Sequence, residues 1–374
     1  MFCRDHLKLM EDVKKTAVFQ SILEGNHTVE NIYAAVASVA DHARKLYDVE
    51  VVGGINDTDF LTMMVSDACF LVQYMRSKSN NSASIGGVYQ SLLGVFHSKD
   101  QDIFHDIMLL ENQIPWPVVR AIMQFVPQGV MNLDDFIDSS RRYLHEKKAP
   151  QEKTYVLDDE PPHLLGLLRD SIVGRKDIRQ PTGLRNECSL SINKFAEVGI
   201  TLAANETNDL VDMGVRKNGP LFLHLYLAPL SLDERTTNML VNMAALELCM
   251  TLNFLDARAQ GPESAVCSYL QFLAMLVHRE EDVHELRTKE ILRGAGFTDK
   301  QAFDFFSGLH ELRVGPLYAN TIGQIEDMVA ERRIRTKVYA FFYRNWKTIA
   351  TVFTIIGGIV GLLKAFQPFI FKGR

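Results

Sequence analysis

The chain has 374 residues, of which 47% are hydrophobic and 23% are charged, and its formal net charge is −6. This composition is typical of a globular protein and excludes a disordered or fibrous chain. The length allows one large domain or two ordinary domains with a sizeable core. The acidic balance argues against a nucleic-acid partner, because a protein that binds nucleic acid normally carries a basic face.

The five cysteines are scattered and form no CxxC pair; they are Cys3, Cys69, Cys188, Cys249 and Cys267. This spacing argues against a disulfide framework or a zinc site and predicts free thiols in a reducing compartment. The N-terminal stretch MFCRDHLKLMEDVKK is charged and lacks the apolar run of a signal peptide.

Apolar residues recur at helical spacing from the N-terminus onward. The strongest such segment, Asp59 to Met75, contains Asp67 within it and is predicted to be a buried core helix rather than a membrane span. Asp57 or Thr58 is predicted to cap it. Residues 146–162 are polar and contain prolines, which is typical of a mobile loop or linker.

The hydrophobic period changes near residue 208. Apolar runs at Leu210–Arg216 and Leu221–Leu227 flank Lys217-Asn218-Gly219-Pro220, and an Asn-Gly pair between such runs predicts a β-hairpin. Helical spacing returns from residue 233. The sequence therefore predicts a mainly α fold, with a helical soluble region over 1–343 and a small β element at 208–228.

A C-terminal transmembrane helix is predicted over residues 344–371, followed by a short tail at 372–374. The uncharged part, 349–363, reaches only about 22 Å as a helix, whereas a hydrocarbon core is about 30 Å thick. The span therefore has to include Lys364, which would snorkel to the headgroups, and Trp346 stands where an interfacial aromatic residue belongs. A buried amphipathic helix or a monotopic hairpin stays open as the alternative.

The charges that flank this segment predict its orientation. Basic residues concentrate on its N-terminal side, which places the large region in the cytosol. Gly357 and Gly361 form a GxxxG pair, which favours a homodimer through the same helix. The inverted topology stays open, and it would make glycosylation acceptors of the four N-x-S/T sequons at Asn26, Asn56, Asn80 and Asn205.

No P-loop, GxSxG, GxGxxG or HExxH motif occurs in the chain. His278, Glu281 and His284 have the spacing of three metal ligands on one side of a helix. The same stretch also fits the acidic first turn of a new helix, and that interpretation is preferred. Asn112 and Gln113 are predicted to satisfy backbone groups where a helix ends before Pro115. We therefore expect no enzyme, no cofactor and no metal.

Four motifs resemble, as a set, a plant-restricted family known as domain of unknown function 247. They are the segments DIMLLENQIPW, DACFL, FAEVGI and EEDVHELR, and the stretch from Tyr343 to Lys364 is similar to the closing membrane helix of the family. The residues that carry the resemblance are Asp67, Cys69, Phe70, Glu111, Asn112, Gln113, Pro115, Asp282, Val283, Leu286 and Arg287.

The resemblance covers nearly the whole chain and implies a membrane-tethered interaction or signalling protein without known catalysis. It implies the plasma membrane as the location, and the lipid bilayer and an unidentified protein as partners. Some members in grasses are implicated in self-incompatibility. Members usually carry a further segment before the piece that resembles Leu7 to Lys14, so a truncated, inactive paralogue is the main alternative. An enzyme with an unrecognised site, at Glu111 or at 278–284, is the third hypothesis.

Overall fold

The computed structural model describes residues 2–25, 27–79, 87–127, 129–145, 160–174, 195, 199–218, 222–251, 261–309, 311–313, 315–331, 341 and 345–359. These residues form a mainly helical protein with a small sheet. Most of the predicted loop at 146–162 and the FAEVGI segment, apart from Phe195, Gly199 and Ile200, lie outside the described residues.

The first half of the chain is a set of helices packed around one central helix. The helices are α1 (Phe2–Gly25), α2 (Val29–Arg44), α3 (Val49–Val52), α4 (Asp57–Ser77), α5 (Gly87–Ser98), α6 (Asp100–Ile107), α7 (Trp116–Met123), α8 (Leu133–His145) and α9 (Leu164–Val173). A single 3₁₀ turn, Leu110–Asn112, separates α6 from α7.

Helix α4 confirms the predicted core helix. Every side chain from Ala68 to Arg76 is buried, because α1, α2, α5, α7 and α8 pack around it. Its cap lies one residue earlier than the sequence predicts: the Asn56 side chain accepts from the backbone N–H of Asp59. An asparagine just before the first helical residue suits this role, because its short side chain reaches back to the third N–H of the helix.

The sheet contains the predicted hairpin and one strand that was not predicted. Strands β2 (Gly214–Asn218) and β3 (Phe222–Leu227) pair antiparallel, and β1 (Ile200–Ala204) pairs parallel with the other edge of β3. Leu223, Leu225 and Leu227 alternate inward along β3 and are buried. A short pair, β4 (Leu230–Ser231) and β5 (Leu292–Arg293), lies further along the chain.

The second half packs around a buried helix. Its helices are α10 (Glu234–Met250), α11 (Ala265–Leu276), α12 (Glu280–Thr288), α13 (Asp299–Ser307) and α14 (Pro316–Glu331), and a 3₁₀ turn at Gly261–Ser264 leads into α11. All residues of α11 except Gln271 are buried, since α10, α13 and α14 cover it.

A buried carboxylate holds the N-terminus of α11. Glu247 on α10 has no exposed side-chain surface, and its oxygens accept from the backbone N–H groups of Val266 at 3.0 Å and Cys267 at 2.8 Å. Its Oε1 also accepts from Arg169 of α9, at 2.9 Å from Nε and 2.6 Å from a terminal nitrogen. One charge pair therefore joins three helices.

The predicted transmembrane helix is wrong. Among the residues that the structure describes, no helix is both long and apolar enough to cross a membrane. The helix described over residues 345–359, here the C-terminal helix, extends about 22 Å within the described residues, against a hydrocarbon core of about 30 Å. The rest of the predicted span, with Gly361 and Lys364, lies outside the described residues.

Asn205 cannot carry a glycan in the folded chain, although it stands in a sequon. It is 5% exposed, and its side-chain nitrogen donates to the carbonyls of Asp209 at 3.1 Å and Asp212 at 3.2 Å. Asn56 is occupied as the cap of α4. Asn26 and Asn80 lie outside the described residues.

Gly315 is expected to be required for the contact between α11 and α14. A Cβ at this position would overlap the side chain of Ser264 and lie 2.8 Å from Ser268 Oγ. Gly315→Ala should therefore lower the free energy of unfolding by about 2 kcal/mol, measured by urea denaturation.

Gly323→Ala is the matched control, because it lies in α14 itself and a Cβ there meets nothing within 4 Å. It should leave stability unchanged or raise it slightly, since alanine favours helix. The added variant Ser264→Gly should restore part of the stability lost by Gly315→Ala. Equal losses for the two glycine variants would contradict the steric explanation.

Candidate functional site

The Gln113 side chain closes the turn in the LLENQIP motif. Its nitrogen donates to the carbonyls of Ile107 at 2.8 Å and Leu109 at 2.7 Å, which lie at the end of α6 and just after it. Its oxygen accepts from the backbone N–H of Leu165 at 3.0 Å and so joins the turn to α9. Asn112 donates to the carbonyl of Asp106 at 3.0 Å. The structure therefore shows the capping role predicted for both residues.

Longer-range contacts fix the same turn within the fold. Asn242 of α10 accepts from the backbone N–H of Leu110 at 2.9 Å, and the Tyr47 hydroxyl donates to the carbonyl of Gln113 at 2.9 Å. Pro115 forms an isolated β-bridge with His163. Glu111 is exposed and has no hydrogen-bond or ion-pair partner among the described residues. The turn of the motif therefore presents its side chain to solvent.

The DACF motif is also structural. Asp67 lies 2.7 Å from the Lys14 nitrogen, which ties α4 to α1. Cys69 is fully buried, and burial raises the pKa of its thiol to about 12, so it is not a nucleophile. Phe70 packs edge-on against Phe96 with ring centroids 5.5 Å apart.

The EDVHELR motif builds the start of α12 and the loop after it. The Asp282 carboxylate accepts from the backbone N–H groups of His278 and Arg279, and Val283 and Leu286 are buried. Three acidic residues stand in the first turn, as the preferred interpretation predicts.

Arg287 holds the loop between α12 and α13. It donates to Asp299 at 2.7 Å and to the carbonyls of Gly294 and Phe297, both at 2.6 Å. His278, Glu281 and His284 are exposed, and in the described ranges no three histidine, cysteine or acidic side chains are grouped as metal ligands would be.

Sequence reasoning missed a half-buried ionic cluster around Asp100, at the start of α6. The Asp100 carboxylate accepts from the hydroxyls of Tyr74 at 2.7 Å and Tyr143 at 3.1 Å, and it pairs with Lys78. The Arg235 guanidinium lies 3.6 Å from the same carboxylate and stacks over the Tyr143 ring at 4.1 Å. Four helices, α4, α6, α8 and α10, therefore contribute to the cluster or border it.

The contacts within the cluster shift the pKa values of Asp100 and Tyr143. Burial alone would raise the pKa of Asp100, but the hydrogen bonds from Lys78 and Tyr74 outweigh it, and the pKa is lowered. Burial and the Asp100 charge raise the pKa of Tyr143 to about 12. The one carboxylate faces both cations and accepts from both tyrosine hydroxyls, so we interpret the cluster as a fold constraint. Its members stand far apart in sequence, and no spacing pattern could have revealed them.

The C-terminal helix presents an apolar surface over most of its circumference, and Lys347, Thr351 and Thr354 share the remaining face. Trp346 and Phe353 are 65% and 70% exposed, and Ile355, Ile356 and Ile359 are each more than half exposed. No atom lies within 4 Å of the position of a Cβ on Gly357. A large exposed apolar surface marks a contact site, so this surface is the candidate interaction site.

The fold is mainly helical, and most motif residues form contacts that hold the fold together. The sequence signature of this protein is therefore structural. The model of a family of plant proteins of unknown function, DUF247, matches residues 3–360. The chain belongs to this family, which confirms the resemblance seen in the motifs. No curated protein and no solved structure shows a significant match to the chain.

Gln113→Leu is expected to destabilise the protein strongly. The substitution keeps the volume but leaves two carbonyls and the Leu165 N–H without the partner they have now. The free energy of unfolding should fall by about 3 kcal/mol in urea denaturation. Glu111→Gln is the matched control and should change it by less than about 0.5 kcal/mol. A large loss for Glu111→Gln would assign that residue a structural partner.

Asp100→Asn should lower stability by about 2 kcal/mol at neutral pH, because it removes the charge that Lys78 and Arg235 face. The folded pKa of Asp100 lies below its unfolded value, so its stabilisation is complete above pH about 4 and is lost as the pH falls through the folded pKa. The difference between wild type and variant should therefore shrink in acid.

Unfolding curves between neutral and acidic pH measure this effect. Asp102→Asn is the control, since Asp102 lies on the same helix but forms only an exposed pair with Lys99 at 3.4 Å. A stability difference that stays constant with pH would show that the Asp100 charge is not the stabilising element.

Proposed function

We propose that this protein is an interaction component that assembles with a second copy of itself through the C-terminal helix. The observation that carries the proposal is the exposure of apolar side chains over most of the circumference of the helix at residues 345–359. Contiguous apolar surface of this kind marks a contact site in proteins of ordinary composition.

The chemistry of the helix favours an apolar partner. After Lys347 it carries no charged side chain, and the hydroxyls of Thr351 and Thr354 donate to the carbonyls of Lys347 and Ala350 within the helix. These two hydroxyls therefore need no polar group from a partner. Burial of apolar area supplies about 25 cal/mol per Å², so a pair of such helices gains from contact along its whole length.

A second copy is the partner that fits this surface best. An identical helix offers the same apolar side chains, and a two-fold pair lets each copy bury what the other exposes. Gly357 adds a place where two backbones can approach closely, because its Cα faces open space. The other glycine of the GxxxG pair, Gly361, lies outside the described residues.

Sedimentation velocity of the full chain tests the proposal. The chain has a mass of 42.3 kDa, so a species of twice this mass is expected, in equilibrium with monomer on dilution. Phe353→Glu with Ile356→Glu should weaken self-association by at least about a hundredfold, since a buried unpaired carboxylate is strongly unfavourable.

Two further variants distinguish specific dimerisation from non-specific hydrophobic association. Val49→Glu changes a residue that is 79% exposed on α3 and should leave the dimer intact. Gly357→Ile should weaken the dimer about tenfold although it makes the helix more apolar. The isoleucine side chain would keep the two helix backbones from approaching closely at this position. A wild-type chain that stays monomeric at every concentration would disprove the proposal.

A further inference from the structure

A groove lies between the start of α2 and the end of α7. It has a volume of about 590 Å³ and is lined by His27, Glu30, Asn31, Ala34, Gln124 and Phe125. This volume is within the range of ligand sites in proteins. None of these residues belongs to the family motifs or to the C-terminal helix.

The charge of the groove comes from Glu30, in the first turn of α2. Its carboxylate is exposed, and a hydrogen bond from its own backbone N–H lowers its pKa, so it is ionised at neutral pH. The N-terminus of a helix carries about half a positive charge, which the full negative charge of Glu30 exceeds. The groove is therefore net negative.

An anionic ligand is disfavoured for a second reason. The Thr28 hydroxyl oxygen already accepts from the backbone N–H of Asn31 at 3.3 Å, and the same hydroxyl donates to Asn31 Oδ1 at 2.6 Å. The N–H that an anion would bind is thus occupied.

Another part of the groove lining is aromatic. The Phe125 ring is half-buried and packs against His27 at a centroid distance of 4.9 Å and an interplanar angle of 80°. Gln124 next to it is exposed and supplies an amide oxygen. A carboxylate, an aromatic ring and an amide oxygen around one groove match a planar cation that donates several hydrogen bonds.

We propose that this groove binds the guanidinium group of an arginine side chain presented by a partner protein. Arginine fits better than lysine, because its flat guanidinium can pair with the Glu30 carboxylate through two N–H groups while it stacks on Phe125. The site shares no residue with the C-terminal helix, so arginine binding goes beyond self-association and is independent of it.

The test follows the Ala34 methyl signal by NMR in the full chain labelled at alanine methyl groups. N-acetyl-argininamide should shift this signal saturably in the millimolar range, which is usual for one side chain in an open site. The lysine analogue should bind about fivefold more weakly, and the citrulline analogue, which is uncharged, should leave the signal unmoved.

Glu30→Gln and Phe125→Leu should each weaken arginine binding by about fivefold or more. Glu50→Gln is the matched control, because Glu50 is also the second residue of a helix and exposed but does not line the groove. The remaining alanine methyl signals report whether each variant is folded. An Ala34 signal that never moves, or that moves equally with citrulline, would overturn the proposal, as would an unchanged affinity in Glu30→Gln.

Discussion

The second half of the fold depends on the buried carboxylate of Glu247. It meets Arg169 of α9 and two backbone N–H groups of α11, so one side chain of α10 fixes where three helices meet. Removal of one member of such a buried pair typically costs 3–5 kcal/mol, because the remaining charge is left without water or a partner. The register of α9, α10 and α11 follows from this geometry, and α11 is the helix on which α13 and α14 pack.

The family motifs satisfy backbone hydrogen-bonding groups at the ends of helices. Gln113 satisfies carbonyls at and after the end of α6, Asp282 satisfies N–H groups before α12, and Arg287 holds three groups of the following loop. Unsatisfied backbone groups cost as much as lost hydrogen bonds, so side chains at these positions are tightly constrained. A sequence signature of this kind therefore reflects how the chain folds.

The two proposed interaction surfaces differ in chemistry. The C-terminal helix is apolar and without charge beyond Lys347, which suits burial against a like surface. The groove beside Glu30 is small, acidic and lined by a ring, which suits a single side chain. Under the two proposals, apolar area would supply affinity and the charged groove would supply selectivity.

The sequence by itself determined what short-range pattern encodes. Helical spacing and apolar content gave the core helix α4, Asn-Gly between apolar runs gave the β2–β3 hairpin, and residues before a proline marked the capped turn at Asn112 and Gln113. These features depend on neighbours within a few residues, where backbone sterics and hydrogen bonding leave few alternatives.

Only the tertiary structure decided the rest. Strand β1 was missed because it pairs in parallel with β3, and the Asp100 cluster was missed because its members, from Tyr74 to Arg235, lie on helices far apart along the chain. The membrane span that apolar composition favoured was overturned, because no helix in the described part of the chain is long and apolar enough to cross a membrane. Burial, ion pairing and helix length depend on which distant segments of the chain come into contact. A local sequence pattern does not specify these contacts.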